Sequence, residues 1–287
     1  MKLPPIVAAL ALLLPAGCAG ERALVYFPSR SVPAPESVGL AGVEQAGFTT
    51  DDGVHLAGWF APASGTSRDL AVLVCHGNGG NVASRARLLR DLPPLGLAVL
   101  VVDWRGYGAS DDVQPTEDGL YRDGRAALAW LMARTGLPES RIVLFGESLG
   151  TGVAVQLAAE AADAAEAARA ADSAAPPAGS APYALVLQSP FTSLADAAAA
   201  NHPWLPVRLL LRDRYDSLSK IGRVHVPLLV LHGAQDGIVP VEQGRRLQAA
   251  AGGPHHFIEL PRAGHNDVWR DGTARRADLA AFLDDLC

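Results

Sequence analysis

The chain has 287 residues, 49% of them hydrophobic and 19% charged, enough for one large core or a core with a small cap. The formal net charge is −6 and no basic run occurs, so nucleic acid is not an expected partner. Three cysteines do not make a disulfide framework.

At the N-terminus, Met1 and Lys2 precede an apolar run over residues 6–14. That run is too short to span a bilayer comfortably and reads as a signal peptide covering residues 1–17. Ala16-Gly17-Cys18 resembles the end of a bacterial lipobox, although Pro15 stands where leucine is usual. The resemblance implies lipidation of Cys18 and attachment to a membrane of the bacterial cell envelope. A secreted or periplasmic soluble protein is the alternative. Residues 18–40, rich in Pro and Ser, read as a tether, and residues 41–287 as the domain.

Within that domain, residues 43–50 and 54–60 have strand character and meet at Asp51-Asp52-Gly53, a hairpin turn signal. The continuous apolar runs 70–75, 97–102, 141–145, 183–187 and 227–231 match strands buried on both faces, and 256–260 is a further strand. Helices are expected at 82–92, 116–134, from 149 to about 171, at 241–251 and at 272–286. Residues 161–182 form an Ala/Pro-rich insert, and residues 191–226 a short helical cap. Strands alternating with helices imply a mostly parallel central sheet with helices on both faces, whose ligand site lies beyond the carboxyl ends of the strands. Cys75 ends one of these runs and reads as core.

Each polar cluster falls at such a strand end. Gly146-Glu147-Ser148-Leu149-Gly150 is a G-x-S-x-G stretch between a strand and a helix, where a sharp turn projects the serine and the glycines relieve crowding. A serine hydroxyl needs a base, and a histidine base needs a carboxylate to hold its tautomer. After Ser148, the acid expected just past a core strand is Asp236, and the base past the next strand is His265. Asp196, Asp213 and Asp216 fall in the cap, and Asp267 follows the base too closely. An oxyanion hole needs two backbone donors: Leu149 N–H, and an N–H of the loop His76-Gly77-Asn78, with Asn78 the better choice. His76 is expected to brace that loop, His232 to orient the acid loop, and Asp103 and Arg105 to pair structurally. Trp204, Leu205, Leu209, Leu210 and Leu211 are expected to pack the cap on the core rather than line an acyl site. No metal-site spacing is present, and no cofactor is expected.

The motifs HGNGGN (76–81), DWRGYGAS (103–110), GESLG (146–150), SPFTSL (189–194), LHGAQDGIVP (231–240) and GHND (264–267) together resemble the serine α/β-hydrolases, more narrowly the Bem46-like, serine aminopeptidase (S33)-type group. The resemblance implies the α/β-hydrolase fold, Ser148 as nucleophile, Asp236 as acid, His265 as base, and Asn78 with Leu149 as oxyanion donors. It further implies a small-molecule or lipid-like acyl substrate and hydrolysis of an ester or thioester. A peptidase, or an acyltransferase working through the same acyl-enzyme, is the alternative.

Overall fold

The computed structural model describes residues 22, 25–170, 181–201 and 203–286. Cys18, His202, Cys287 and the signal segment lie outside the described residues, as does the 171–180 part of the insert. The chain opens with β1 (Phe27–Pro28), β2 (Glu44–Thr49), β3 (His55–Ala61), β4 (Leu70–Cys75) and β5 (Gly79–Gly80). Next come α1 (Ala86–Asp91), β6 (Leu97–Val102), α2 (Glu117–Thr135), β7 (Ile142–Glu147), α3 (Leu149–Ala170) and β8 (Ala184–Gln188). The cap holds α4 (Leu194–Asn201), α5 (Val207–Leu210) and α6 (Leu218–Ile221). The chain then returns through β9 (Leu228–Gly233), α7 (Val241–Ala249), β10 (His255–Leu260) and α8 (Gly272–Asp284).

One sheet of eight strands runs in the order β10, β9, β8, β7, β4, β6, β3, β2. Only β3 pairs antiparallel, with β2 and with β6; the other pairings are parallel. The apolar runs are continuous because both faces are covered. Ala71, Leu73 and Cys75 enter one core cluster, while Leu70, Val72 and Val74 enter the other. Each such buried Leu or Val contributes about 1.5–3 kcal/mol relative to exposure.

Chain order reverses at β4, which has β6 on one side and β7 on the other. A ligand site is expected beyond such a switch point. The registers Cys75 with Gly146, Glu147 with Gln188 and Gly233 with Leu260 bring the carboxyl ends of β4, β7, β8, β9 and β10 to one sheet edge. Every loop read as functional leaves from that edge.

The expected tether is not free from residue 25 onward. Val25 and Tyr26 are buried, β1 pairs with β5, and Leu40 is buried in the second core cluster. Pro28, Pro33 and Pro35 keep this stretch out of any long helix, and its apolar side chains anchor it instead. Among the described residues, no helix is long and apolar enough to cross a membrane.

Candidate active site

Ser148 sits between β7 and α3 with φ of +49°, a left-handed conformation that costs a non-glycine residue about 1–3 kcal/mol. The neighbours hold it there. Ser148 N–H donates to Gln188 O at 2.9 Å, and Ser148 O accepts from Thr151 N (2.9 Å) and Thr151 Oγ1 (2.6 Å). The two glycines are required by close approach. A Cβ on Gly146 would lie 2.6 Å from Thr151 Cα, and one on Gly150 would lie 1.9 Å from the carbonyl oxygen of Cys75.

His265, on the loop after β10, places Nε2 2.9 Å from Ser148 Oγ and Nδ1 2.7 Å from Asp236 Oδ2. Asp236 lies on the loop after β9, where its Oδ1 accepts from Ile238 N (2.9 Å) and Val239 N (2.8 Å). Burial raises the Asp236 pKa, but hydrogen bonds from His232 and His265 outweigh it and hold the carboxyl well below the usual range. An ionised carboxylate only accepts, so His265 must donate from Nδ1, leaving Nε2 to accept the serine proton. Burial is graded along the chain of bonds: the Asp236 side chain is fully buried, the His265 side chain 11% exposed, and Ser148 half-buried.

His232 occupies the orienting position expected of it. Its Nε2 lies 2.9 Å from Val239 O and 3.4 Å from Asp236 Oδ2, and its ring is fully buried. The rivals are engaged elsewhere. Asp196 binds Thr192 and Arg208, Asp213 accepts from Tyr26, and Asp267 pairs with Arg270.

Leu149 is the first residue of α3, so its N–H is one of the amides the helix cannot satisfy internally. On the other side of the elbow, Asn78 O accepts from Phe27 N (2.9 Å) and Tyr107 OH (2.8 Å), and Asn78 Nδ2 donates to Val25 O (2.9 Å). These bonds fix Asn78 without using its backbone N–H. His76 braces the loop: Nδ1 is 2.6 Å from Gly77 O, Trp104 Nε1 donates to His76 O, and the ring packs on Trp104 and Tyr107. Burial holds the His76 pKa far below normal and keeps the ring neutral.

Two features of this edge escaped the sequence reading. Arg85 makes a bidentate pair with Glu147, at 3.0 and 2.9 Å, and donates to Gly79 O at 2.6 Å. It thereby ties the residue before Ser148 to the oxyanion loop. The only signal was a carboxylate in the variable position of the elbow. The second feature is the strap 25–29, which pairs with the same loop and reaches the cap where Tyr26 OH donates to Asp213 Oδ2 at 2.7 Å.

The expected Asp103–Arg105 pair is not formed. Arg105 instead binds Asp123 (2.8 and 2.9 Å) and Asp52 (2.8 and 3.0 Å), tying α2 to the β2–β3 turn. Asp103 accepts from Val82 N at 2.7 Å, and burial pushes its pKa up to about 6. An arginine fork is better satisfied by two carboxylates than by one already held by amides. Cys75 is fully buried core, and burial raises its thiol pKa. Among the described residues, no cluster of three or more His, Cys, Asp or Glu side chains is placed to hold a metal ion.

The comparisons with known proteins bear on the fold. The model of the alpha/beta hydrolase fold matches residues 71–205. The chain is 45% identical over 248 residues to the uncharacterized protein Rv2307c of Mycobacterium tuberculosis, covering 86% of this chain and 81% of that protein. It is 31% identical to the alpha/beta hydrolase domain-containing protein WAV2 of Arabidopsis thaliana, covering 93% of this chain and 87% of that one. The lysophosphatidylserine lipase ABHD12 of Danio rerio is 28% identical over 74% of this chain and 54% of its own. Among solved structures, the Pyrococcus furiosus esterase Pf2001 superposes with a TM-score of 0.69 at 20% identity, covering 91% of this chain and 98% of that one. The chain belongs to the α/β-hydrolase family.

Proposed function

We propose that this chain is a serine hydrolase that cleaves acyl esters or thioesters through an acyl-enzyme on Ser148. The observation that carries the proposal is the continuous bond chain Ser148 Oγ, His265 Nε2, His265 Nδ1 and Asp236 Oδ2, at 2.9 and 2.7 Å. His265 takes the Ser148 proton as Oγ bonds to the acyl carbon, and Asp236 stabilises the imidazolium. The developing oxyanion rests on the N–H groups of Leu149 and Asn78. Collapse breaks the bond to the alcohol or thiol, which leaves with the proton from His265. Water, deprotonated by the same histidine, then releases the acid and restores Ser148.

An ester or thioester is favoured over an amide by the names of the similar proteins. The lipase name of ABHD12 and the esterase name of Pf2001 support this choice, as does the resemblance of the motifs to the Bem46-like group. The test is a panel of p-nitrophenyl acyl esters, acyl thioesters and aminoacyl anilides, run with and without an added alcohol acceptor. Esters and thioesters should turn over with free acid as product, and anilides at least about a hundredfold more slowly. Preferred anilide cleavage, or acyl transfer to the alcohol as the main product, would replace this reading with a peptidase or an acyltransferase.

A further inference from the structure

The cap does not pack as its sequence implies. Val207 is buried and Leu211 packs against the core, but Trp204, Leu209 and Leu210 point outward, 66%, 86% and 45% exposed. Ile238, on the acid loop, is 51% exposed and joins the cap where Asn201 Nδ2 donates to Ile238 O at 2.6 Å. The end of α4, a few residues before Trp204, therefore meets the loop that carries Asp236. Exposed apolar clusters of this kind on a folded chain mark an interaction surface.

We infer that the cap edge formed by Trp204, Leu209 and Leu210 docks into the surface of a lipid bilayer that contains anionic lipid. Charge identifies the occupant. Arg208, Arg212 and Arg214 are exposed within the same stretch, Arg208 also pairing with the half-buried Asp196 at 2.7 Å, while Asp213, between Arg212 and Arg214, is buried and hydrogen-bonded to Tyr26. In a chain of net charge −6, a tryptophan, two leucines and three arginines gathered in one short segment have the composition of an interfacial element. The arginines match anionic headgroups at the level where the indole and the leucines enter the acyl boundary.

The start of the described chain points the same way. Tyr26 is hydrogen-bonded to Asp213 and to Tyr215 at the foot of this cap. The residues before it include, in sequence, Cys18, whose lipobox-like setting implies attachment to a membrane. The cap is also rigidly mounted. Tyr215 packs so closely on Gly152 of α3 that a Cβ there would lie 2.8 Å from the tyrosine, so a docked cap is fixed relative to Ser148. Docking stands apart from the chemistry at Ser148, and neither requires the other.

Trp204 is a natural reporter, because Trp59, Trp104 and Trp269 are buried and Trp130 is packed against the core. The experiment uses the full chain with vesicles of equal phosphatidylcholine and phosphatidylglycerol, carrying ordinary or brominated acyl chains. Brominated vesicles should quench a component of the tryptophan emission that Trp204→Phe removes. Leu209→Ser combined with Leu210→Ser should reduce that quenching at least about fivefold, with unchanged circular dichroism and with protein still sedimenting with the vesicles. Vesicles of phosphatidylcholine alone should quench several-fold less. Emission equally bright with both kinds of vesicle would overturn the proposal, whether or not the protein sediments with them. So would a lipid-free dimer that Leu209→Ser dissociates, since the edge would then belong to a second copy of the chain.

Discussion

Asp236→Asn should lower kcat about 10⁴-fold on a p-nitrophenyl ester while leaving KM and the fold nearly unchanged. The carboxylate does two separable things. Its Oδ1 holds the turn by accepting from Ile238 and Val239, which an asparagine oxygen continues to do. Its Oδ2 accepts from His265 Nδ1 at 2.7 Å, where an asparagine presents an amide donor instead. A donor at that point draws the imidazole proton to Nε2, facing Ser148 Oγ, and the ring can no longer accept the serine proton. Burial makes the change severe, since no water reaches the fully buried carboxylate to substitute for it. Steady-state kinetics with a matched urea midpoint is the check; a kcat within tenfold of the parent would remove Asp236 from the mechanism.

Gly150→Ala should cost at least about 4 kcal/mol, a large fraction of the roughly 5–15 kcal/mol that stabilises an ordinary domain. The added Cβ would lie 1.9 Å from Cys75 O, 2.4 Å from Cys75 C and 2.7 Å from His76 O. These are backbone atoms at the carboxyl end of the central strand β4, with no rotamer into which they can move. α3 would have to lift from the end of β4, carrying Leu149 away from the oxyanion loop. Urea unfolding would show a fall in midpoint at unchanged slope, or no folded protein at all; a midpoint close to the parent's would mean the elbow is more pliant than its packing implies.

The central strands were legible because burial on both faces leaves unbroken apolar runs. The run 97–102 coincides with β6 residue for residue. Ser148, Asp236 and His265 were legible for a related reason: each follows a core strand, and a mostly parallel sheet delivers strand ends to one edge. Partner choice among the charges was not legible. Arg85 meets Glu147 and Arg105 meets Asp52 and Asp123 across long stretches of chain, so no local spacing encodes the pairs. Asp103 and Arg105 are near neighbours in sequence, yet their side chains serve opposite tasks, one accepting from the amides of Val82 and Ala109 and the other bridging α2 to a turn. The cap failed for a physical reason of its own. Helical spacing identifies an apolar stripe, but α5 is too short and too peripheral for spacing to say which stripe meets the core. The strap 25–29 looked like linker because prolines and small residues dominate its composition, while Val25 and Tyr26 supply the burial.

The nucleophile itself can be read directly. Treatment of the full chain with a fluorophosphonate, followed by intact mass and peptide mapping, should give a single adduct on Ser148, and the Ser148→Ala variant should give none. An adduct on another serine, or labelling that persists undiminished in Ser148→Ala, would contradict the assignment of the acyl chemistry to this elbow.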